Sequence, residues 1–138
     1  MPIRKYGPPD GYYITDHENE IKTICSFLEK EGFKFHLRSE FEITYESKES
    51  IISIIYEKND EVVFTNIKFK NSQYSNENYS VSWTAYYDKE IPFENYCVKK
   101  PYKRYEVVDK SMQLLKKYPQ KFFNENYMHN FYPKYSTV

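Results

Sequence analysis

Histidine and cysteine, the residues most often used as metal ligands and nucleophiles, are few and scattered in this sequence. The three histidines are His17, His36 and His129, and no two of them stand at the spacing of a metal-binding motif. Cys25 and Cys97 lie far apart and lack the C-x-x-C spacing of a zinc or redox site. The sequence therefore predicts no metal site and no cofactor, and it places no base beside a candidate nucleophile.

Glycine-rich loops and the other common catalytic signatures are also missing. The chain has only three glycines in 138 residues, too few for a phosphate-binding loop. No zinc-protease helix motif and no serine-hydrolase motif occurs. Glutamates are plentiful, but whether two of them pair for hydrolysis depends on the tertiary structure. These observations favour a non-enzymatic protein.

Acidic residues are concentrated in one part of the chain. Residues 16–61 contain 12 acidic and 6 basic side chains, although the whole chain has a net charge of zero. Several of these acids alternate with apolar residues, which predicts a row of carboxylates on one face of a strand, with two more at the next turn. Such a row can dock a basic partner or can simply be a solvated strand face that discourages edge pairing. The predicted partner-binding carboxylates are Glu40, Glu42, Glu46, Glu57 and Glu61.

Basic residues are concentrated later, between residues 98 and 121, where 8 basic side chains face 2 acidic ones. Lys99, Lys100, Lys103 and Arg104 are interleaved with tyrosines, a pattern that can contact phosphates and stack on bases. The pI of about 6.8 is far below that of a dedicated nucleic-acid-binding domain. A solvated helix start is the favoured interpretation, and nucleic-acid binding through residues 99–105 remains the alternative.

Aromatic residues are unusually abundant, with 16 tyrosines and 10 phenylalanines. Tyrosine, phenylalanine, lysine, asparagine and isoleucine have AT-rich codons, so a low-GC bacterial genome explains the abundance without a binding role. An aromatic binding surface is the alternative. On the predicted strand 79–88, Trp83 is expected in the core, whereas Tyr86 has the opposite parity and is expected to face outward. Tyr86 is therefore a candidate interface anchor.

The elements that must position these residues follow from two hydrophobic periods. Ile21, Ile24, Cys25 and Leu28 recur at helical spacing before Gly32, a residue suited to end a helix. Alternation with a period of two then dominates the middle of the chain. The predicted elements are a helix over residues 16–31, extended chain over 33–46, strands over 51–56, 61–70 and 79–88, and a helix over 102–118. The pattern over 33–46 allows a break near Arg38-Ser39 but does not require one.

Together these elements predict a single α+β domain over residues 1–138. We expect a two-layer sandwich: a mainly antiparallel sheet of about four strands with an N-terminal and a C-terminal helix on one face. Prolines and glycines make residues 1–14 an extended lead-in, and the aromatic tail 119–138 is expected to pack back on the domain. No apolar stretch is long enough to span a membrane, and no secretory signal is visible, so a cytoplasmic protein with reduced thiols is expected.

In size, layout, Lys/Asn-rich and aromatic composition, acidic strand face and lack of catalytic motifs, the chain resembles small immunity proteins. Low-GC bacteria encode these α+β proteins beside polymorphic or contact-dependent toxins. The resemblance implies a tight stoichiometric complex that blocks a toxin domain, with the acidic face mimicking nucleic-acid phosphates against a basic nuclease. It carries no diagnostic motif and assigns no residue. The alternative is a small-ligand-binding or enzymatic α+β domain with a tyrosine-lined pocket.

Overall fold

The structure, a computed structural model, describes residues 17–57, 62–74, 77–92 and 104–136. The predicted lead-in 1–14 lies outside these residues. Several predicted site residues also lie outside them, namely Glu61, Lys99, Lys100 and Lys103.

An open antiparallel sheet forms one layer of the domain. Its strands pair in chain order, β1-β2-β3-β4-β5, so every connection joins neighbours. The strands are β1 (Lys34–Ser39), β2 (Glu42–Glu46), β3 (Ser50–Glu57), β4 (Val62–Phe69) and β5 (Asn78–Ser80). The predicted α+β fold and antiparallel order are confirmed, with five strands among the described residues instead of about four.

The extended segment predicted over residues 33–46 is divided into β1 and β2, because the chain reverses just after Ser39, next to the break near Arg38-Ser39 that the sequence left open. The Ser39 side chain stabilises the turn by accepting a hydrogen bond from the Phe41 N–H at 3.1 Å. Phe35 pairs with Tyr45 and Leu37 with Ile43, so each odd residue faces another odd residue across the hairpin. Cross-strand partners lie on the same face of a sheet. The alternation of apolar and polar residues therefore continues unchanged through the turn, so the alternation alone does not reveal where the chain reverses.

The central position of β3 is confirmed, and it explains why this segment is apolar on both faces. Ile52 and Ile54 are fully buried on the face that the helices cover. Ile51 and Ile55 lie on the opposite face, where they pair with Lys68 and Phe64 of β4. We call this second face the open face of the sheet.

The predicted strand 79–88 is mostly wrong, since only its first two residues belong to β5. Helix α3 (Val81–Tyr87) begins at once, with Ser80 as its N-cap. The Ser80 hydroxyl accepts a hydrogen bond from the Trp83 N–H at 3.1 Å, which satisfies a free donor of the first turn. Val81, Thr84 and Ala85 are its buried residues, at the spacing of one helix face.

The other helices lie where the sequence has helical spacing or an aromatic tail. The predicted first helix is divided at Cys25 into α1 (Glu18–Ile24) and α2 (Ser26–Lys30), and Gly32 follows with the positive φ of 94° expected of a helix stop. The predicted helix 102–118 is observed as α4 (Arg104–Lys117). The tail forms α5 (Pro119–Phe122) and α6 (Glu125–Ser136).

The core lies between the helices and one face of the sheet, which gives the expected two layers. From the sheet, Ile43, Tyr45, Ile67 and Tyr79 are fully buried. The helices contribute further fully buried side chains, namely Cys25, Leu28, Val108, Leu115, Phe122 and Met128. In the part of the chain that is described, no helix has the length and apolar character needed to cross a bilayer.

Candidate functional site

The hairpin separates the predicted carboxylates instead of aligning them. Glu40 is exposed in the β1–β2 turn, whereas Glu42 and Glu46 lie at the two ends of β2. Glu42 and Glu46 share the open face with Thr44, which is buried between them. Glu57 ends β3. The premise of one continuous acidic row is therefore wrong, while the use of these residues in binding stays a prediction.

Basic side chains compensate the carboxylate of Glu46. Lys70 Nζ donates a hydrogen bond to Glu46 Oε2, and an Arg38 guanidinium nitrogen lies 3.6 Å from Oε1. The hydrogen bond and the charge of Lys70 lower the pKa of Glu46. Lys34 pairs with Glu46 in the register of the hairpin. This end of the open face consequently carries mixed charge instead of a negative field.

The basic run that suggested nucleic-acid binding lies almost wholly outside the described residues. Only Arg104 is included, as the first residue of α4. The choice between a solvated helix start and a phosphate-binding segment therefore stays as the sequence left it.

An exposed cluster of aromatic rings on α3 is the most distinctive surface feature. Trp83, predicted to lie in the core, is 38% exposed, and Tyr86 is 53% exposed as expected for an outward residue. The Trp83 and Tyr87 rings stack with centroids 5.9 Å apart. The Tyr86 ring meets Trp83 edge-on at 5.8 Å and Tyr87 at 5.0 Å. We call these three residues the α3 aromatic cluster.

A buried carboxylate at the end of α3 fixes the helix that carries this cluster. Asp88 is 6% exposed and accepts hydrogen bonds from the Tyr127 hydroxyl, from Lys121 Nζ at 2.9 Å and from the Glu90 N–H at 3.0 Å. Burial alone would raise the pKa of Asp88, but the bonds from Tyr127 and Lys121 outweigh it and lower the pKa. Lys121 also binds Glu90 at 2.8 Å. We call this group the Asp88 network; it joins α3 to α5 and α6.

A second set of contacts attaches the β4–β5 connection to α6. The Tyr74 ring stacks on the His129 ring with centroids 3.6 Å apart and planes 5° from parallel. The buried Tyr79 hydroxyl shares a hydrogen bond of 3.0 Å with His129 Nδ1. Glu125, in the first turn of α6, accepts from the Ser72 hydroxyl and from the Gln73 N–H. His129 thus has a structural role between two tyrosines.

A cleft of about 760 Å³ opens where the β2–β3 turn meets the ends of α2 and α4. Its apolar residues are Phe27, Leu28, Phe33, Phe69, Leu115, Pro119 and Phe123. Its polar and charged residues are Glu31, Ser47, Lys48, Glu49, Ser50 and Lys116. Among the described residues, the cleft is lined by four phenylalanines and no tyrosine, unlike the tyrosine-lined pocket considered from the sequence.

Comparison of the chain with protein-family models, with curated proteins and with solved structures gave no match. Within the described residues, no group of histidine, cysteine, aspartate and glutamate side chains converges to hold a metal ion. A function for this chain must therefore be inferred from its own surfaces and cavities.

Sequence reasoning found Tyr86 but missed its partners in the aromatic cluster and missed the cleft. The cluster was missed because valine, threonine, tryptophan and tyrosine favour strands, which concealed a helix. The sequence does contain a pattern that indicates this helix. Ser80 can serve as an N-cap, and the buried positions 81, 84, 85 and 88 that follow it have the spacing of one helix face. The cleft had no signal, since its residues come from distant parts of the chain.

Proposed function

We propose that this protein is a non-enzymatic module that binds one partner protein stoichiometrically. In its most specific form, the partner is a toxin domain that the complex blocks, as in the immunity proteins that the chain resembles. The observation that carries the proposal is the exposed α3 aromatic cluster. Tryptophan and tyrosine are the residues most enriched among those that dominate protein–protein binding energies.

The cluster has two properties of an interface centre. Two of its rings are more than a third exposed, so they keep apolar area that a partner can bury. The rings also pack on one another, and the Asp88 network fixes the end of their helix. A rigid aromatic surface loses little conformational entropy on binding, which favours affinity.

The carboxylates are assigned a secondary role in this proposal. Glu46 is already compensated by Lys70 and Arg38, so it has less charge to offer a basic partner. Glu40 and Glu42 sit at the hairpin turn and at the start of β2. We expect these two to affect the association rate through long-range attraction more than the lifetime of the complex.

The test begins with affinity capture of the partner from the source organism, with and without nuclease, followed by titration of the purified partner. Calorimetry should give one partner per chain. The double variant W83A/Y86A should weaken binding by at least about 30-fold, because each hot-spot residue contributes about 2 kcal/mol or more.

Leu37→Ala is the matched control, since Leu37 is a large apolar side chain that is 48% exposed on a different element, β1. It should bind as the unmodified protein does. The charge reversals E40K/E42K should slow association and increase its salt dependence. If W83A/Y86A binds normally while remaining folded, the cluster is not the interface. Failure to recover any protein partner in either capture arm would contradict the proposed function itself.

A further inference from the structure

The cleft between the β2–β3 turn and the ends of α2 and α4 has the size and the apolar walls of a small-molecule site. Its volume of about 760 Å³ falls in the range of about 300–1,000 Å³ that is usual for such sites. Phe27 and Phe123 are half-buried, so both keep apolar surface that a ligand can cover. Phe33 and Phe69, each 9% exposed, complete the walls. The Phe33 and Phe123 rings are in contact at 5.9 Å, so two of the walls support each other.

The hydrogen-bonding groups of the β2–β3 turn are bonded to one another. The Ser47 N–H donates to the Ser50 carbonyl at 2.9 Å. The Ser47 hydroxyl accepts from the Glu49 N–H at 3.2 Å and from the Ser50 N–H at 3.1 Å. The Glu49 carbonyl accepts from the Lys70 N–H at 2.9 Å. The turn therefore offers few donors or acceptors to a ligand.

The end of α2, on which the cleft also borders, is closed in the same way. The Gly32 N–H donates to the Glu29 carbonyl at 3.1 Å, and the Phe33 N–H donates to the Leu28 carbonyl at 2.9 Å. A polar ligand group that entered here would lose its hydrogen bonds to water without gaining equivalent ones from the turn or from this helix end. The lining thus favours a ligand that is held by apolar contact.

The charges at the cleft balance. Glu31 and Glu49 are matched by Lys48 and Lys116, and all four side chains are exposed. Lys116 Nζ is also engaged with the Phe27 ring, 4.9 Å from its centroid. The end of α4 lies next to the start of α5 in the chain, and the partial charges of these two helix ends have opposite signs. An ion of either sign would therefore give up its hydration without a compensating field.

We propose that this cleft binds a small uncharged organic molecule, with an apolar body against Phe27 and Phe123 and with any polar group left in water at the mouth. The four phenylalanines supply the binding surface, while the self-bonded turn and the balanced charges disfavour ions. The site is separate from the α3 aromatic cluster and does not rest on the proposed protein-binding function. The binding is non-covalent.

Four probes with the same phenyl body test the proposal: phenylpropanol, phenylpropylammonium, phenylpropionate and N-acetylphenylalanine amide. Each is titrated into the full chain while backbone amide NMR signals are recorded. Phenylpropanol should bind with a Kd of about 1 mM or tighter, and the largest shifts should fall on residues 27–33, 47–50 and 115–123.

The other three probes should bind more weakly than phenylpropanol. Both ions should lose at least about tenfold in affinity, because the cleft does not replace their hydration. N-acetylphenylalanine amide presents the ring on a peptide backbone, as a partner protein would. It should also bind more weakly, because the turn has few groups left to bond its two amides.

Two phenylalanines provide a matched pair of variants. Phe27 and Phe35 are both half-buried, and each has a lysine ammonium over its ring, at 4.9 Å and 4.4 Å respectively. Phe27 lines the cleft and Phe35 does not. Phe27→Ala should weaken the binding of phenylpropanol at least about tenfold, because it removes apolar surface that the ligand covers. Phe35→Ala should change the affinity by less than about twofold.

A charge reversal tests whether the ligand is uncharged. Lys48 is exposed and lines the cleft, so Lys48→Glu makes the surroundings of the cleft acidic. The affinity for phenylpropanol should change by less than about twofold, since an uncharged ligand has no Coulomb interaction with the new carboxylate. The ratio of the phenylpropylammonium affinity to the phenylpropionate affinity should rise, which verifies that the substitution acts on the cleft.

Several results would overturn the assignment. Tighter binding of either ion than of phenylpropanol would show that the cleft selects a charge, and tighter binding of the amide would assign the cleft to a side chain of a partner protein. No binding of phenylpropanol, shifts centred away from the cleft, or equal losses in F27A and F35A would also overturn it. Thermal melts verify that each variant is folded, and the order of the four probes on the unmodified chain tests the proposal without any variant.

Discussion

Replacing Asp88 by asparagine should destabilise the fold strongly although the side chain keeps its shape. The carboxylate is 6% exposed, and Tyr127 and Lys121 both donate to its Oδ2 atom. In the D88N variant the amide can still accept from the Glu90 N–H through Oδ1. Its NH₂ group, however, replaces the Oδ2 acceptor and therefore faces two other donors, the Tyr127 hydroxyl and Lys121 Nζ, with no acceptor between them.

The size of the effect follows from the bonds that are lost. A hydrogen bond to a charged group contributes about 1.5–3 kcal/mol. Lys121 keeps its bond to Glu90, and its side chain is 20% exposed, so part of its loss is recovered. We expect D88N to lower the free energy of unfolding by about 2–4 kcal/mol. For a chain of this length that corresponds to a melting temperature lower by about 6–12 °C.

Tyr127→Phe removes one donor and keeps the ring, so it should lower the free energy of unfolding by about 1–2 kcal/mol. The double variant D88N/Y127F should be less destabilised than the sum by about 1 kcal/mol, because it removes an unsatisfied donor as well. Urea unfolding followed by circular dichroism measures all three variants.

Asp109→Asn is the control for the loss of a carboxylate charge. Asp109 is half-buried on α4, and its Oδ2 accepts a hydrogen bond from Gln113 Nε2 at 2.9 Å. The D109N variant should change the free energy of unfolding by less than about 0.5 kcal/mol. A loss of unfolding free energy in D88N no greater than that in D109N would contradict this role of Asp88. Losses from D88N and Y127F that simply add would contradict it as well.

Three further predictions concern pH dependence, a contrast between two buried hydroxyls, and a thiol. Because the pKa of Asp88 is lower when folded than its ordinary 3.8, its contribution to stability is complete above that value. This contribution should disappear as the pH falls below it, and urea midpoints of D88N between about pH 6 and pH 3 should change less than those of the unmodified chain. Thr65→Val should raise the free energy of unfolding by about 1 kcal/mol, because the buried Thr65 hydroxyl has no hydrogen-bond partner among the described residues. Thr44→Val should instead lower the free energy of unfolding by about 1 kcal/mol, since Thr44 Oγ1 accepts a hydrogen bond from an arginine at 3.0 Å. Thermal melts test this contrast, and melting temperatures that shift in the same direction in both valine variants would contradict it. Burial raises the pKa of Cys25 to about 12. In a Cys97→Ser background, a thiol reagent at neutral pH should therefore react with Cys25 only when urea unfolds the chain. Immediate labelling of the folded chain would exclude a buried thiol.

The amino-acid sequence determined the parts of the fold that depend on local periodicity. Helical spacing ending at Gly32 placed the first helix, and the apolar Ile51–Tyr56 segment placed the central strand. Helical spacing and Pro119 placed α4. These features could be predicted because a buried face repeats with the period of its own element.

The tertiary structure decided what local periodicity could not. The sequence left a break near Arg38-Ser39 open but could not require the β1–β2 reversal, because Leu37 and Ile43 pair with the same parity. Glu40 consequently lies in a turn instead of a strand. Strand-forming residues concealed α3, and with it the exposure of Trp83.

The Asp88 network and the cleft both depend on residues far apart in the chain. The Asp88 network joins α3 to residues 121 and 127, and the cleft gathers residues from 27 to 123. Contacts between distant segments arise from packing, and no spacing in the sequence encodes them. The sequence by itself therefore determined the elements and their layers, whereas packing decided which side chains meet and which remain on the surface.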